Sequence, residues 1–199
     1  AWLQSQNAEN ERVLLLYPPG LSYVAAFFGC LYAGATAVPA YPPRLNHSLQ
    51  RLQSIVTDAG AKFALTNDAI FSKVQKMFEM VPFLRRLHWL ETDQVVREFS
   101  LSDDWHEPSV NSDTIAFLQY TSGSTATPKG VMVTHGNLMH NERMIEWACD
   151  HTEESTFGGW LPLYHDMGLI GNLLQPLFIG SRCVLMSPIA FLQKPLRWL

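Results

Sequence analysis

Apolar and polar positions fall into blocks along this chain, and the period of the pattern switches between two and about 3.6 residues from block to block. Val13-Leu14-Leu15-Leu16 is an unbroken apolar run between Arg12 and Pro18-Pro19-Gly20, which predicts a buried strand over 12–17. An uncharged stretch follows and predicts a helix over 21–33, ended by Gly34, then a strand over 36–41 whose prolines force an extended exit. Leu49, Leu52, Ile55 and Val56 share one face of a helix over 46–59. A strand over 62–66 leads to a helix over 68–80 with Asn67 as its cap, and then to a strand over 87–90. Residues 91–112 are polar and acidic and are expected to cross the surface as a connector. Apolar residues 114–119 and 131–134 form two strands around a polar loop. A helix over 137–149, a strand over 156–161, a helix over 167–178, a strand over 182–186 and a helix after Pro188 complete the chain. Strands alternating with helices imply an α/β fold, a mainly parallel sheet covered by helices on both faces.

The loop between the two central strands carries the chemistry. Tyr120-Thr121-Ser122-Gly123-Ser124-Thr125-Ala126-Thr127-Pro128-Lys129-Gly130 holds five hydroxyl side chains of Ser and Thr, two glycines and one lysine in eleven positions. Small residues let a backbone approach an anion, N–H groups and hydroxyls donate to it, and the lysine adds a point charge. That combination suits a polyphosphate. It is not a P-loop, because Pro128 precedes the lysine, Gly130 follows it, and a β-branched strand rather than a helix comes next. No G-x-G-x-x-G fingerprint occurs either. By composition alone, such a cluster is an ordinary polar connector.

The string as a whole resembles the phosphate-binding core motif of the adenylate-forming (AMP-binding) superfamily: the acyl- and aryl-CoA synthetases, luciferases and peptide-synthetase adenylation domains. That motif runs Tyr-Thr-Ser-Gly-Ser/Thr-Thr-Gly-x-Pro-Lys-Gly, and the one departure here is Ala126 in place of glycine. If that position needs a positive φ, alanine adopts it at a cost of about 1 kcal/mol. Trp160-Leu161-Pro162-Leu163-Tyr164-His165-Asp166-Met167-Gly168-Leu169-Ile170-Gly171 is similar to a second family motif, in which an aromatic and a histidine sit beside the acyl carboxylate and the α-phosphate. Asp166 either orients the imidazole or caps the following helix, and the cap is the favoured role. Leu31-Tyr32-Ala33-Gly34 through Val38-Pro39 resembles a third, structural segment of the family. The residues Tyr164 to Gly171, Pro42-Pro43 and Leu118-Gln119 look most like the fatty acyl-AMP ligases.

The resemblance implies an enzyme in which a fatty acid carboxylate attacks the α-phosphate of ATP and releases pyrophosphate. The acyl group then passes to the phosphopantetheine arm of an acyl carrier protein, or to CoA in the related CoA ligases. A catalytically inactive relative is the third possibility. It implies that Thr121, Ser122, Gly123, Ser124 and Thr125 line the β- and γ-phosphates, that Lys129 neutralises them, and that His165 serves the acyl and adenylate site. ATP and Mg²⁺ are the implied cofactors, with no protein ligand for the metal assigned here. It further implies that the 199 residues are a fragment of one large N-terminal domain, truncated at both ends and without the C-terminal domain, and inactive alone.

Composition narrows the remaining choices. With 14 basic and 18 acidic residues and no basic run beyond Arg85-Arg86, nucleic-acid binding finds no support. Charged residues make up 16%, below the roughly 25% of an ordinary soluble domain, as expected where other parts of a larger protein cover the surface. Residues 13–43 are uncharged, but Pro18, Pro19, Gly20, Gly34 and Pro39 divide them into pieces shorter than the roughly 20 residues of a transmembrane helix. Cys30, Cys149 and Cys183 are odd in number and far apart, and read as reduced core thiols of a cytoplasmic protein.

Overall fold

The computed structural model describes residues 1–43, 49–94, 104–121 and 128–198. A short helix α1 (Trp2–Ser5) precedes β1 (Arg12–Leu16), α2 (Leu21–Tyr32), β2 (Thr36–Pro39), α3 (Leu49–Ala59) and β3 (Phe63–Thr66). Next come α4 (Asp68–Gln75), α5 (Pro82–Arg85), β4 (His88–Glu91), β5 (Ile115–Thr121) and β6 (Lys129–Thr134). The remainder is α6 (His135–Cys149), β7 (Thr156–Gly159), a π-helix (Met167–Leu174), α7 (Gln175–Ile179), β8 (Arg182–Leu185), α8 (Pro188–Gln193) and a 3₁₀ turn (Pro195–Arg197).

Six strands form one sheet in the order β4-β3-β1-β2-β5-β6, parallel throughout except that β6 runs antiparallel to β5. Side chains alternate across the strands, so Val13, Leu15 and Tyr17 point to one face and Leu14 and Leu16 to the other. The first face is closed by Tyr23, Phe27 and Cys30 of α2 and by Leu169 and Leu173 of the π-helix. The second is closed by Leu52, Ile55 and Val56 of α3, Val74 of α4 and Leu84 of α5. Each leucine or phenylalanine fully buried in this way contributes roughly 1.5–3 kcal/mol. β7 and β8 do not join this sheet; they pair in parallel as a separate two-stranded sheet. One sheet is what alternation alone predicts, and the division into two is a correction.

Local signals act as expected where the chain turns. Gly34 takes φ +69° after α2, and a Cβ there would lie 2.8 Å from Pro108 Cβ. Asn67 Oδ1 accepts from the Ile70 N–H at 3.1 Å and caps α4. Thr134 and Asn137 cap α6 reciprocally. Over its described residues 104–112 the acidic connector runs on the surface: Trp105 Nε1 donates to the Tyr32 carbonyl at 2.7 Å, and Gln4 Nε2 to the His106 carbonyl at 2.7 Å. The cysteines depart from the expectation. Cys30 is buried, whereas Cys149 at the end of α6 and Cys183 on β8 are exposed, so apolar neighbours in sequence did not make them core thiols.

The other departure is the π-helix, where an α-helix is predicted. Pro176 lacks an N–H, so it cannot donate to the Asn172 carbonyl four residues earlier. That carbonyl instead accepts from Cys183 Sγ at 3.0 Å. The helix end shifts to an i→i+5 bond, from the Gln175 N–H to the Ile170 carbonyl. Among the described residues no helix is long and apolar enough to cross a membrane.

Candidate active site

In open α/β sheets ligands collect outside the carboxyl ends of the strands. Here that edge opens into a cleft of about 540 Å³. Its walls are the end of β2 with Tyr41, α3 through Arg51 and Ile55, the end of β5 through Gln119, Tyr120 and Thr121, and the segment Tyr164-His165-Asp166.

Several contacts fix the histidine-bearing wall. Gln119, 8% exposed, donates from Nε2 to the Tyr164 carbonyl at 3.1 Å. The Tyr164 ring meets Tyr41 edge-on, with centroids 5.0 Å apart. The His165 N–H donates to the Pro162 carbonyl at 3.1 Å and closes a turn. Gly168 allows the π-helix to sit on that turn, since a Cβ at 168 would collide with the Pro162 carbonyl oxygen. From this base the imidazole reaches outward with its side chain 70% exposed, Nδ1 3.5 Å from Asp166 Oδ1. That separation is beyond a good hydrogen bond. Asp166 Oδ1 instead accepts from the Met167 N–H at 2.7 Å, the capping role the sequence favours.

On the opposite wall, β5 and β6 run side by side with Thr121 opposite Lys129 and Tyr120 opposite Gly130. Thr121 and Lys129 are both exposed, while Pro128 is buried. Tyr120 turns to the α3 face, where its hydroxyl donates to Asp58 Oδ2 at 2.6 Å. Burial, and then the Asp58 carboxylate, push that hydroxyl's pKa well above the usual phenol range, so it stays a donor at neutral pH.

Of the residues singled out from sequence, Thr121 and His165 share the cleft. Lys129 stands across the strand pair from Thr121, beside the cleft wall rather than in it. Ser122, Gly123, Ser124, Thr125 and Ala126 lie outside the described residues. Among the described residues no cluster of three or more His, Cys, Asp or Glu side chains could hold a metal ion. Sequence reasoning missed Arg51, Asp58 and the tie from Gln119. A polar residue at a buried strand position was the available signal for Gln119; Arg51 and Asp58 have no local signal, because only the packing of α3 brings them to the sheet edge.

A protein-family model described as AMP-binding enzyme matches residues 1–199, the whole chain. The chain belongs to the AMP-binding enzyme family. Within that family it is similar to the medium-chain-fatty-acid–[acyl-carrier-protein] ligase JamA of Moorena producens (strain JHB), at 48% identity over 99% of this chain and 34% of JamA. The crystal structure of a fatty acid AMP ligase from Legionella pneumophila matches with a TM-score of 0.89 at 43% identity, over all of this chain and 34% of that one. A fatty acyl-adenylate ligase from L. pneumophila, crystallised in complex with acyl adenylate and pyrophosphate, matches with a TM-score of 0.88 at 42% identity. This AMP-binding chain spans about a third of the length of these relatives.

Proposed function

We propose that this chain is part of the large N-terminal domain of an enzyme that activates a fatty acid as its acyl adenylate and passes the acyl group to an acyl carrier protein. The observation that carries the reading is the cleft at the carboxyl ends of β2 and β5, which sets His165 across from the end of β5 beside the Thr121–Lys129 rung. The identity to JamA and to the Legionella ligases supports a fatty acid and its adenylate, and JamA's name supports the carrier protein as acceptor.

In this reading the fatty acid carboxylate lies by His165 and attacks the α-phosphorus of ATP. The α-phosphorus–oxygen bond to the pyrophosphate breaks, and pyrophosphate leaves with the electron pair. ATP would enter as its Mg²⁺ complex, in which the metal would offset phosphate charge. Thr121, Ser122, Gly123, Ser124 and Thr125 supply donors to the β- and γ-phosphates. Lys129 supplies the positive charge that offsets what builds up on the leaving group. His165 orients the carboxylate and the α-phosphate as a hydrogen-bond donor. The reaction draws on cytoplasmic ATP, and we assign the enzyme to that compartment, where a thiol such as Cys30 stays reduced.

The test is product analysis on the full-length protein with ATP, Mg²⁺ and a panel of fatty acids, offering CoA and a holo-acyl carrier protein separately. Acyl-AMP that passes to the carrier and not to CoA is the expected result. Transfer to CoA would reassign the acceptor, and no adenylate from any fatty acid would overturn the reading.

A further inference from the structure

We propose that Tyr120 is a positioning residue for the nucleotide, locking the Thr121–Lys129 rung to the α3 wall of the cleft through Asp58 and Gly130. The inference rests on the functional reading above and adds to it a residue set that holds the rung in place.

Three observations converge on Tyr120. Its hydroxyl donates to Asp58 Oδ2 at 2.6 Å across 62 residues of sequence. Its ring lies over its β6 partner Gly130, where a Cβ would stand 2.8 Å from Tyr120 Cζ and 3.0 Å from the hydroxyl oxygen. The next rung of the same ladder is Thr121 opposite Lys129. The ring is therefore held from both sides, by a glycine that leaves room for it and by a carboxylate that fixes its end.

Packing explains the ring and not the hydroxyl, since a phenylalanine would bury the same apolar surface. Helix stability does not explain Asp58 either. It is the penultimate residue of α3, at the carbonyl end of the helix, where a carboxylate is disfavoured by the helix dipole. A residue that works against its own helix and accepts a short hydrogen bond from the neighbouring strand is best understood by what that bond fixes. Since α3 also presents Arg51 and Ile55 to the cleft, the bond joins one wall of the cleft to the strand pair that ends in Lys129. Misplacement of a binding group by even 1 Å is enough to slow a reaction severely.

The experiment uses the full-length protein and ATP–pyrophosphate exchange, with MgATP and the fatty acid varied in turn. Tyr120→Phe and Asp58→Ala are each expected to lower kcat/KM for MgATP roughly tenfold, carried mainly by KM. KM for the fatty acid and the melting temperature should stay as in the wild type. The double variant should lose no more than either single one, because both remove the same bond. Unchanged MgATP kinetics, equal losses for both substrates, or additive losses would overturn the proposal. If the wild type shows no exchange with any fatty acid, the functional reading fails separately, and MgATP binding by calorimetry decides this inference. Equal MgATP affinity for wild type and Tyr120→Phe, or no binding by the wild type, would then overturn it.

Discussion

At the scale of single residues, the side chains offered for chemistry are exposed and those offered for architecture are buried, and this division makes them separable by mutation. Lys129 and His165 project from ordered backbone without supporting the core. Replacing either by alanine is expected to lower kcat of the full-length enzyme on the order of 10²-fold while leaving stability within about 0.5 kcal/mol, measured by exchange kinetics and thermal melting. Glu142 is the opposite case. It lies on α6 at 3% exposure, and the fully buried Gln175 amide, its nitrogen turned towards Glu142, donates to the Glu142 carbonyl at 3.0 Å and to Oε2. Oε1 has no partner among the described residues. Burial pushes this carboxyl up to about 7 from an ordinary 4.5. A raised carboxyl means that the folded state holds the proton more tightly than the unfolded one. Stability should therefore fall as pH rises from about 4.5 to about 7 and then level off. Glu142→Gln should flatten that slope and stabilise the protein at pH 8 by on the order of 1–3 kcal/mol, as read from denaturant midpoints.

At the scale of elements, the decisive joint is the one between the π-helix and the turn that carries His165. Gly168 is there because nothing larger fits beneath the Pro162 carbonyl. Gly168→Ala should cost about 1–3 kcal/mol by overpacking and should reduce adenylate formation at least as far as loss of the imidazole, since the turn must move. Melting and exchange assays on one preparation check both parts. This joint also marks how far the sequence was legible. The apolar run 13–16, the face shared by Leu52, Ile55 and Val56, and the Asn67 cap are local signals that the fold obeys. The strands β5 and β6 and the histidine segment were legible as motifs, and the cleft brings Thr121 and His165 together. The π-helix was not, because its apolar spacing reads as an ordinary helix. Nor were α1 and α5, each four residues long and too short to show a period. The Tyr120–Asp58 bond escaped for a third reason: neither residue's neighbours announce a partner so far away in the chain.

At the scale of the whole molecule, the strand order β4-β3-β1-β2-β5-β6 has a consequence in time. The four strands β1 to β4 all lie within the first 91 residues and form a contiguous parallel block. Within the sheet, the strand pair β5–β6 joins that block along β2, with Ala37 beside Phe117. Closing the long connection between β4 and β5 must precede any gain from that seam, and such non-local closures are slow. A chain emerging from the ribosome can therefore complete its first half before β5 and β6 have been made. Pulse-labelling hydrogen exchange during refolding of the full-length protein should protect β1 and β3 amides ahead of β5 and β6; simultaneous protection would show that the sheet assembles as one cooperative unit instead. A chain built in this order acquires the β5–β6 edge of its cleft last, so under the proposed function a nascent or half-folded copy would not sequester ATP before its sheet is complete.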